Sequence, residues 1–133
     1  MEIKIKLMEK CDVDKVISIE EKAYGEHHWS KESYYNELSN NLASYYAIKD
    51  KDGEIIANTG MWKIFEEAHI TTLAVHPEYR RQGLAKILMI QAIKDCYKNM
   101  VKYITLEVRE SNTPAILLYE KFLFEYIGIR KNY

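Results

Sequence analysis

The sequence is poor in cysteine, carries almost no net charge and contains no long hydrophobic run. Its two cysteines, Cys11 and Cys96, match no metal-ligand spacing, and we expect both to be free thiols in a reducing compartment. Nineteen Lys and Arg residues against twenty Asp and Glu residues give a formal charge of −1, so no global basic field indicates a nucleic-acid partner. No apolar run approaches the ~20 residues of a membrane-spanning helix, and the first ten residues do not resemble a signal peptide. These absences predict a cytoplasmic protein with neither a membrane nor a nucleic acid as a direct partner.

What the chain does contain is apolar material in regular patterns. Hydrophobic residues make up 47% of its 133 positions, and no repeat, low-complexity segment or linker interrupts them, so we expect a single domain over residues 1–133. The periodicities predict, in order, a strand, two helices, three strands, a helix, a strand, a helix and a last strand over 124–129, with a hairpin turn at Asp52-Gly53. Antiparallel early strands and a parallel strand–helix–strand unit predict an α/β fold with a mixed central sheet flanked by helices.

Polar residues indicate where the helices begin and which faces meet water. Asp12 and Ser30 are candidate caps of the first two helices, and Thr113-Pro114 is typical of the start of the last. An apolar stripe on the third helix runs from 85 to 96. The polar residues expected in solvent, on the third and first helices, are Lys94, Asp95, Lys98, Glu20, Glu21 and Glu26.

The stretch HPEYRRQGLAKIL, residues 76–88, follows a predicted strand and opens the third helix. The first N–H groups of a helix lack intrahelical partners and carry partial positive charge, which suits a phosphate, and a glycine lets such a ligand come close. Gly83 and Ala85 are the small residues here, and Arg80, Arg81 and Lys86 add charge. An ordinary solvated turn is the alternative, because short glycine motifs also occur by chance.

The spacing Arg80-x-x-Gly83-x-Ala85 resembles the Q/R-x-x-G-x-G/A signature of the GNAT acyltransferases, at the same place between a strand and a helix. Further segments extend the likeness over nearly the whole chain and resemble the RimI-type ribosomal-protein-alanine N-acetyltransferases. These segments are HHWSKESY, TTLAV, HPEYRRQGLAKIL, TLEVRESNTPAILLYEKF and IGIRKNY. The resemblance implies the GNAT fold, acetyl-coenzyme A as co-substrate, and the N-terminal amine of alanine in a small-subunit ribosomal protein as acceptor.

The resemblance also implies which residues hold the cofactor. Backbone groups of Leu73, Ala74 and Val75 are expected to pair with the pantetheine arm, with the Val75 amide near the acetyl oxygen. Asn112 is expected to hydrogen-bond the cofactor, and a helix cap is an equal alternative. The amides expected to hold the diphosphate are those of Arg81, Gln82, Gly83, Leu84, Ala85 and Lys86.

Two side chains are candidates for proton transfer. Glu107 interrupts an aliphatic strand. In RimI-type enzymes the glutamate of the LEVR segment is the base, so the resemblance implies that role for Glu107. The alternative is a solvated glutamate on the face of the sheet. In the same family the tyrosine of the LYE segment donates a proton to the departing thiolate, so the resemblance implies that role for Tyr119. The alternative is a tyrosine of the hydrophobic core. An N-terminal amine, with a pKa of ~7.7–8.0 against ~10.4 for lysine, needs little help from a base. His27 and His28 are expected to line the substrate entrance, and we expect no metal.

Other functions stay open at this point. The acceptor could be a lysine, a polyamine or another small amine, and the same fold could serve as a non-catalytic acyl-CoA-binding module. The presence of both Glu107 and Tyr119 favours an enzyme.

Two departures from the family pattern concern the end of the chain. Leu123 stands where the family has glycine, and leucine tolerates a positive φ poorly, so we expect the turn into the last strand to be altered. The family continues past Tyr133 with a further strand, so we expect the sheet to lack its last strand and to keep an open edge. That edge would permit self-association, and the loss would affect peptide binding more than cofactor binding.

Overall fold

The computed structural model describes residues 2–25, 29–108 and 111–125. Its strands are β1 (Ile3–Leu7), β2 (Ala43–Asp50), β3 (Ile55–Ile64), β4 (Glu67–Val75) and β5 (Tyr103–Leu106). Its α-helices are α1 (Val13–Tyr24), α2 (Lys31–Leu38), α3 (Leu84–Lys98) and α4 (Thr113–Lys121). The order of elements up to α4 confirms the prediction. The strand predicted over 124–129 lies, except for its first two residues, outside the described residues.

The five strands form one mixed sheet in the order β1-β2-β3-β4-β5. Neighbours from β1 to β4 are antiparallel, whereas β4 and β5 are parallel and connected through α3, as predicted. The hairpin between β2 and β3 turns at Gly53, whose φ of +82° is a left-handed conformation that glycine adopts without steric cost. The sheet therefore has the predicted α/β architecture.

Alternate residues of β4 show that helices cover both faces of the sheet. Ala74 belongs to a core cluster with side chains of α1 and α2, whereas Leu73 and Val75 pack against clusters that contain side chains of α3. Successive residues of a strand point to opposite faces. Helices α1 and α2 thus lie on one face and α3 on the other, together with α4, whose Leu118 packs against an α3 cluster.

The two predicted N-terminal caps have different outcomes. Ser30 is confirmed, because its Oγ accepts a hydrogen bond from the Ser33 amide at 3.1 Å. The prediction for Asp12 is wrong, because Asp12 already has helical dihedral angles and makes no side-chain cap to α1. Its Oδ2 instead accepts from the Glu9 amide and lies near Lys6 Nζ, each at 2.8 Å. Asp12 therefore closes the short 3-10 turn that precedes α1.

Asp95 on α3 was expected in solvent, and this prediction is wrong. The residue is 6% exposed, and its Oδ1 lies 2.6 Å from Lys63 Nζ while its Oδ2 accepts from the Tyr46 hydroxyl at 2.8 Å. Burial would raise the pKa of Asp95, but the hydrogen bonds from Lys63 and Tyr46 outweigh it and lower that pKa. Helical periodicity cannot reveal partners that come from β2 and β3.

Both α3 and α4 end in a Schellman motif whose left-handed residue is not glycine. Met100 has φ +60° and Leu123 has φ +68°. At the end of α4 the Phe124 amide donates to the Tyr119 carbonyl at 3.2 Å, and the rings of these two residues lie 5.9 Å apart, which is the hydrophobic contact typical of the motif. The expectation of an altered turn at Leu123 is wrong, because this residue keeps the left-handed conformation that suits glycine.

We expect Leu123→Gly to raise the free energy of unfolding by ~0.5–1 kcal/mol. A non-glycine residue in the left-handed region costs ~1–2 kcal/mol, of which the greater freedom of glycine in the unfolded chain offsets ~0.5–1 kcal/mol. Leu123 is 88% exposed, so little packing is lost. Calorimetric unfolding measures the change. Leu117→Gly, at an exposed position inside α4, is the matched control and should destabilise by ~1 kcal/mol. Equal destabilisation by both would contradict the prediction.

Candidate active site

The second half of β4 departs from regular pairing on both sides. On one side, the parallel register with β5 runs from Glu67↔Tyr103 to Ile70↔Leu106, while β4 continues to Val75. On the other side, the register with β3 passes from Met61↔Ile70 to Gly60↔Thr72 and leaves Thr71 as an extra residue. This is a β-bulge, a feature that bends and twists a strand and is frequent beside active sites. Residues 73–75 therefore extend past the last described pair between β4 and β5.

The predicted phosphate loop follows β4 directly. His76 caps a 3-10 turn, with its Nδ1 accepting from the Glu78 amide at 3.1 Å, and the chain then enters α3 through Gly83. Arg81 and Gly83 have φ of +64° and +80°, so two of the three residues that precede α3 are left-handed. Non-glycine residues in this conformation cost free energy and occur preferentially at functional sites.

The backbone amides at the start of α3 are available to a ligand. The first backbone bond of the helix joins the Ile87 amide to the Gly83 carbonyl at 3.0 Å. Within the part of the chain that the structure describes, no acceptor is found for the amides from 81 to 86. A Cβ placed on Gly83 would have no protein atom within 4 Å, so the space beside the loop is open. Successive unpaired amides at a helix N-terminus form a site for an anion.

The two predicted proton-transfer residues come from the end of β5 and from α4. Glu107 directly follows β5 and is exposed. Thr105, two residues earlier, is bonded through Oγ1 to Nδ1 of His69 on β4 at 2.9 Å. Tyr119 is half-buried on α4 and packs against the same cluster as Leu73. The structure thus places Tyr119 on the α3 face of the sheet, and it places Glu107 just after the last pair between β4 and β5.

Asn112 is the cap of α4, which confirms the alternative given for it. Its Oδ1 accepts from the Ala115 amide at 3.3 Å. A contact with the cofactor would therefore use Nδ2, and this contact stays a prediction. His27 and His28, predicted at the substrate entrance, lie outside the described residues.

The sequence patterns did not predict a buried polar cluster that lies on the α1 face of the sheet. Glu20 was expected in solvent, which is wrong, because it is 1% exposed. Its Oε2 accepts hydrogen bonds from the Tyr34 hydroxyl, from Asn58 Nδ2 at 3.1 Å and from Thr72 Oγ1 at 3.0 Å. Burial, and then the negative charge of Glu20, raise the pKa of Tyr34 well above its ordinary value, so the phenol stays a donor. The spacing of Glu20 from Val13, seven residues earlier on the buried stripe of α1, was the signal that could have found it.

Among residues 2–25, 29–108 and 111–125, no three His, Cys, Asp or Glu side chains are grouped as metal ligands would be. None of the helices in these ranges has the length and apolarity needed to cross a membrane.

Sequence comparisons place the chain among known proteins. The model of the Acetyltransferase (GNAT) family matches residues 13–124. The ribosomal protein bS18-alanine N-acetyltransferase of Escherichia coli (strain K12) is 31% identical over 129 residues, which cover 97% of this chain and 85% of that protein. A Bacillus subtilis (strain 168) protein, whose name assigns the same activity provisionally, is 40% identical over 122 residues, covering 92% of this chain and 80% of that protein.

Solved structures agree with the sequence relatives. The crystal structure of the ribosomal-protein-S18-alanine N-acetyltransferase from Escherichia coli superposes with a TM-score of 0.90 at 30% identity, over 98% of this chain and 83% of that chain. The PaiA N-acetyltransferase from Thermoplasma acidophilum, solved in complex with coenzyme A, has a TM-score of 0.82 at 22% identity, covers 92% of this chain and 89% of that chain, and shares the fold.

Proposed function

The chain belongs to the acetyltransferase (GNAT) family, and on this premise we propose that it moves the acetyl group of acetyl-coenzyme A to the N-terminal amine of alanine in a small-subunit ribosomal protein. The observation that carries the proposal is the open set of amides at the start of α3, beside the end of β4. Support for the acceptor comes from the relatives named for ribosomal protein bS18.

The groups of this chain fit the diphosphate of coenzyme A. Backbone N–H groups, the dipole of α3 and exposed cationic side chains at Arg81 and Lys86 all favour a doubly charged anion. Backbone groups of Leu73, Ala74 and Val75 would pair with the pantetheine arm, as an added strand pairs with a sheet edge. The amides that would hold the diphosphate are those of Arg81, Gln82, Gly83, Leu84, Ala85 and Lys86.

The proposed roles of Glu107, Tyr119 and Val75 cover the proton and charge changes of acetyl transfer. Acetyl-coenzyme A supplies a thioester, whose acetyl group an amine can accept without a covalent enzyme adduct. Glu107 accepts the proton that the amine loses as its nitrogen bonds to the acetyl carbon. Tyr119 donates its proton to the sulfur as the C–S bond breaks, and the Val75 amide stabilises the charge that develops on the acetyl oxygen. A phenol is ~1.5 pKa units weaker as an acid than a cysteine-type thiol, a mismatch of only ~2 kcal/mol.

We expect Tyr119→Phe to lower kcat by ~10-fold or more while the melting temperature stays nearly unchanged. The phenylalanine ring keeps the packing of Tyr119 against its core cluster and the contact with Phe124, and only the hydroxyl is lost. Steady-state kinetics and calorimetric unfolding measure the two effects. If the variant melts early and its folded fraction keeps full activity, the core interpretation of Tyr119 is right.

The test of the proposed function is thiol release from acetyl-coenzyme A in the presence of peptides. The panel contains peptides that differ only in their first residue and peptides with a blocked N-terminus and one free lysine. Release with the free N-terminal alanine peptide, at least tenfold faster than with the blocked lysine peptide, is the expected result. Preference for lysine or a small amine would change the acceptor. Calorimetric binding of coenzyme A without thiol release from any amine would indicate a non-catalytic module.

Self-association through the sheet edge stays a prediction, since β5 ends the described sheet. Sedimentation equilibrium over a range of protein concentrations is the direct measurement. A monomer at every concentration would contradict it.

A further inference from the structure

Glu20 is a buried carboxylate that the mechanism above does not use. It lies on α1, is 1% exposed, and forms no ion pair with any Lys, Arg or His in the described ranges. Burying a carboxylate without a cation is costly unless hydrogen bonds replace its hydration. The three donors to its Oε2 are neutral groups, and they come from α2, β3 and β4. Its position therefore joins three separate elements at one atom.

The donor on β4 is Thr72, which closes the bulge. Thr72 Oγ1 donates to Glu20 at 3.0 Å, and the Thr72 carbonyl accepts from Thr59 Oγ1 at 2.9 Å. The extra residue, Thr71, is bonded through its Oγ1 to the Tyr45 hydroxyl at 3.2 Å. The bulge is thus held at three points by side chains from other elements, whereas most of a strand is held by its ladder alone.

Neighbouring residues on β3 are shaped to the same arrangement. Gly60 pairs with Thr72, and a Cβ on Gly60 would lie 2.0 Å from the Tyr45 ring, so only glycine lets that ring reach the bulge. Asn58 pairs with Ala74 and is fully buried, with its Nδ2 donating to Glu20 while its Oδ1 has no partner among the described residues. An amide that leaves its own acceptor unsatisfied in order to donate to Glu20 indicates that this bond sets its orientation.

We propose that Glu20 is a positioning residue that fixes the β4 bulge, and through it the backbone of Leu73–Val75 on which acetyl transfer depends. This inference rests on the proposed function. Thr72 immediately precedes Leu73, so a rotation of its peptide unit is passed directly to the amides expected to face the pantetheine arm and the acetyl oxygen. Stabilisation of developing charge needs donors at a defined position, and a misplacement of ~1 Å can cost ~100-fold in rate. The proposed contacts of the loop at Gly83 with the diphosphate are not altered, so the affinity for coenzyme A should fall much less than the rate.

The first test needs no cofactor. In Glu20→Gln the amide group of glutamine presents a donor as well as an acceptor to three donors, so the bond to Thr72 weakens. Amide hydrogen exchange at residues 71–74 is expected to accelerate at least tenfold, with β1 and β2 unchanged. Thr72→Val, which removes the hydroxyl and keeps the shape, is expected to do the same. If exchange at these residues matches the wild type in both variants, the inference is wrong. If Glu20→Gln does not fold, the exchange rates of Thr72→Val alone test the inference.

The second test is kinetic and includes a matched pair of tyrosines. Tyr34→Phe removes a donor to Glu20, and Tyr46→Phe removes a donor to the other buried carboxylate, Asp95. We expect Tyr34→Phe and Glu20→Gln to lower kcat by ~10–30-fold with the dissociation constant of coenzyme A within about threefold, and Tyr46→Phe to leave kcat within twofold.

The double variant Glu20→Gln, Thr72→Val should lose no more kcat than the worse single variant, because both substitutions act through one contact. Additive losses, or losses that follow only the folded fraction, would overturn the proposal. A wild-type protein that releases no thiol would refute the proposed function and leave the exchange experiment to decide this one.

Discussion

Replacing Glu107 by glutamine is expected to lower kcat at least ~100-fold while the affinity for coenzyme A stays within about threefold. Glutamine has the same size and hydrogen-bonding reach but cannot accept the proton of the amine, and a positioned base contributes ~10²–10⁴ in rate. The side chain is exposed just after β5, so the change removes no buried packing. Steady-state kinetics with the preferred peptide and calorimetric titration with coenzyme A measure the two quantities.

Glu67→Gln is the matched control for this experiment. Glu67 is exposed on β4, at the opposite end of the β4–β5 pairing, and its loss should leave kcat within twofold. An equal loss of cofactor affinity in Glu107→Gln would mean that Glu107 binds the cofactor and is not the base. Full activity of Glu107→Gln would mean that Glu107 is a solvated glutamate without a role in proton transfer.

Gly83→Asp is expected to weaken coenzyme A binding at least ~100-fold, with a loss of stability no larger than that of the control variant Gly53→Asp. Aspartate adopts the left-handed conformation at a lower cost than most residues, so the start of α3 should survive. Its carboxylate would accept hydrogen bonds from the amides that are proposed to hold the diphosphate. Two like unit charges ~4 Å apart repel by ~4 kcal/mol at an effective dielectric constant of ~20, and screening reduces this to the ~2.7 kcal/mol that corresponds to ~100-fold.

The chain offers a close control for the glycine change. Gly53 in the β2–β3 turn has φ +82° against +80° for Gly83, and a Cβ at either position would meet no protein atom within 4 Å. Gly53→Asp therefore carries the same backbone cost and the same charge at a site without a ligand, and calorimetry should show unchanged affinity. Pantetheine, which has no diphosphate, should bind Gly83→Asp as it binds the wild type. Equal weakening by both glycine variants would show that the loop at Gly83 holds no anion.

Features that depend on neighbours along the chain were predictable from the residues. Ser30 caps α2 because its hydroxyl reaches an amide three residues later, and the β2–β3 turn follows from the backbone freedom of Gly53. The same holds for the glycine-containing loop before α3, since a helix terminus depends on residues close in sequence. The α/β order of elements, and the position of the glycine-containing loop within it, are therefore determined by short-range patterns.

Features that depend on distant partners could not be obtained in this way. Asp95 and Glu20 are charged residues on helices, for which solvent is the usual environment, and each became buried because strands remote in sequence supply its hydrogen bonds. The bulge at Thr71 likewise has no signature within β4, because it is defined by the register against β3. Burial of a charge and alignment of two strands both depend on contacts between segments that are distant in sequence. Only the tertiary structure decides them, because it brings those segments together.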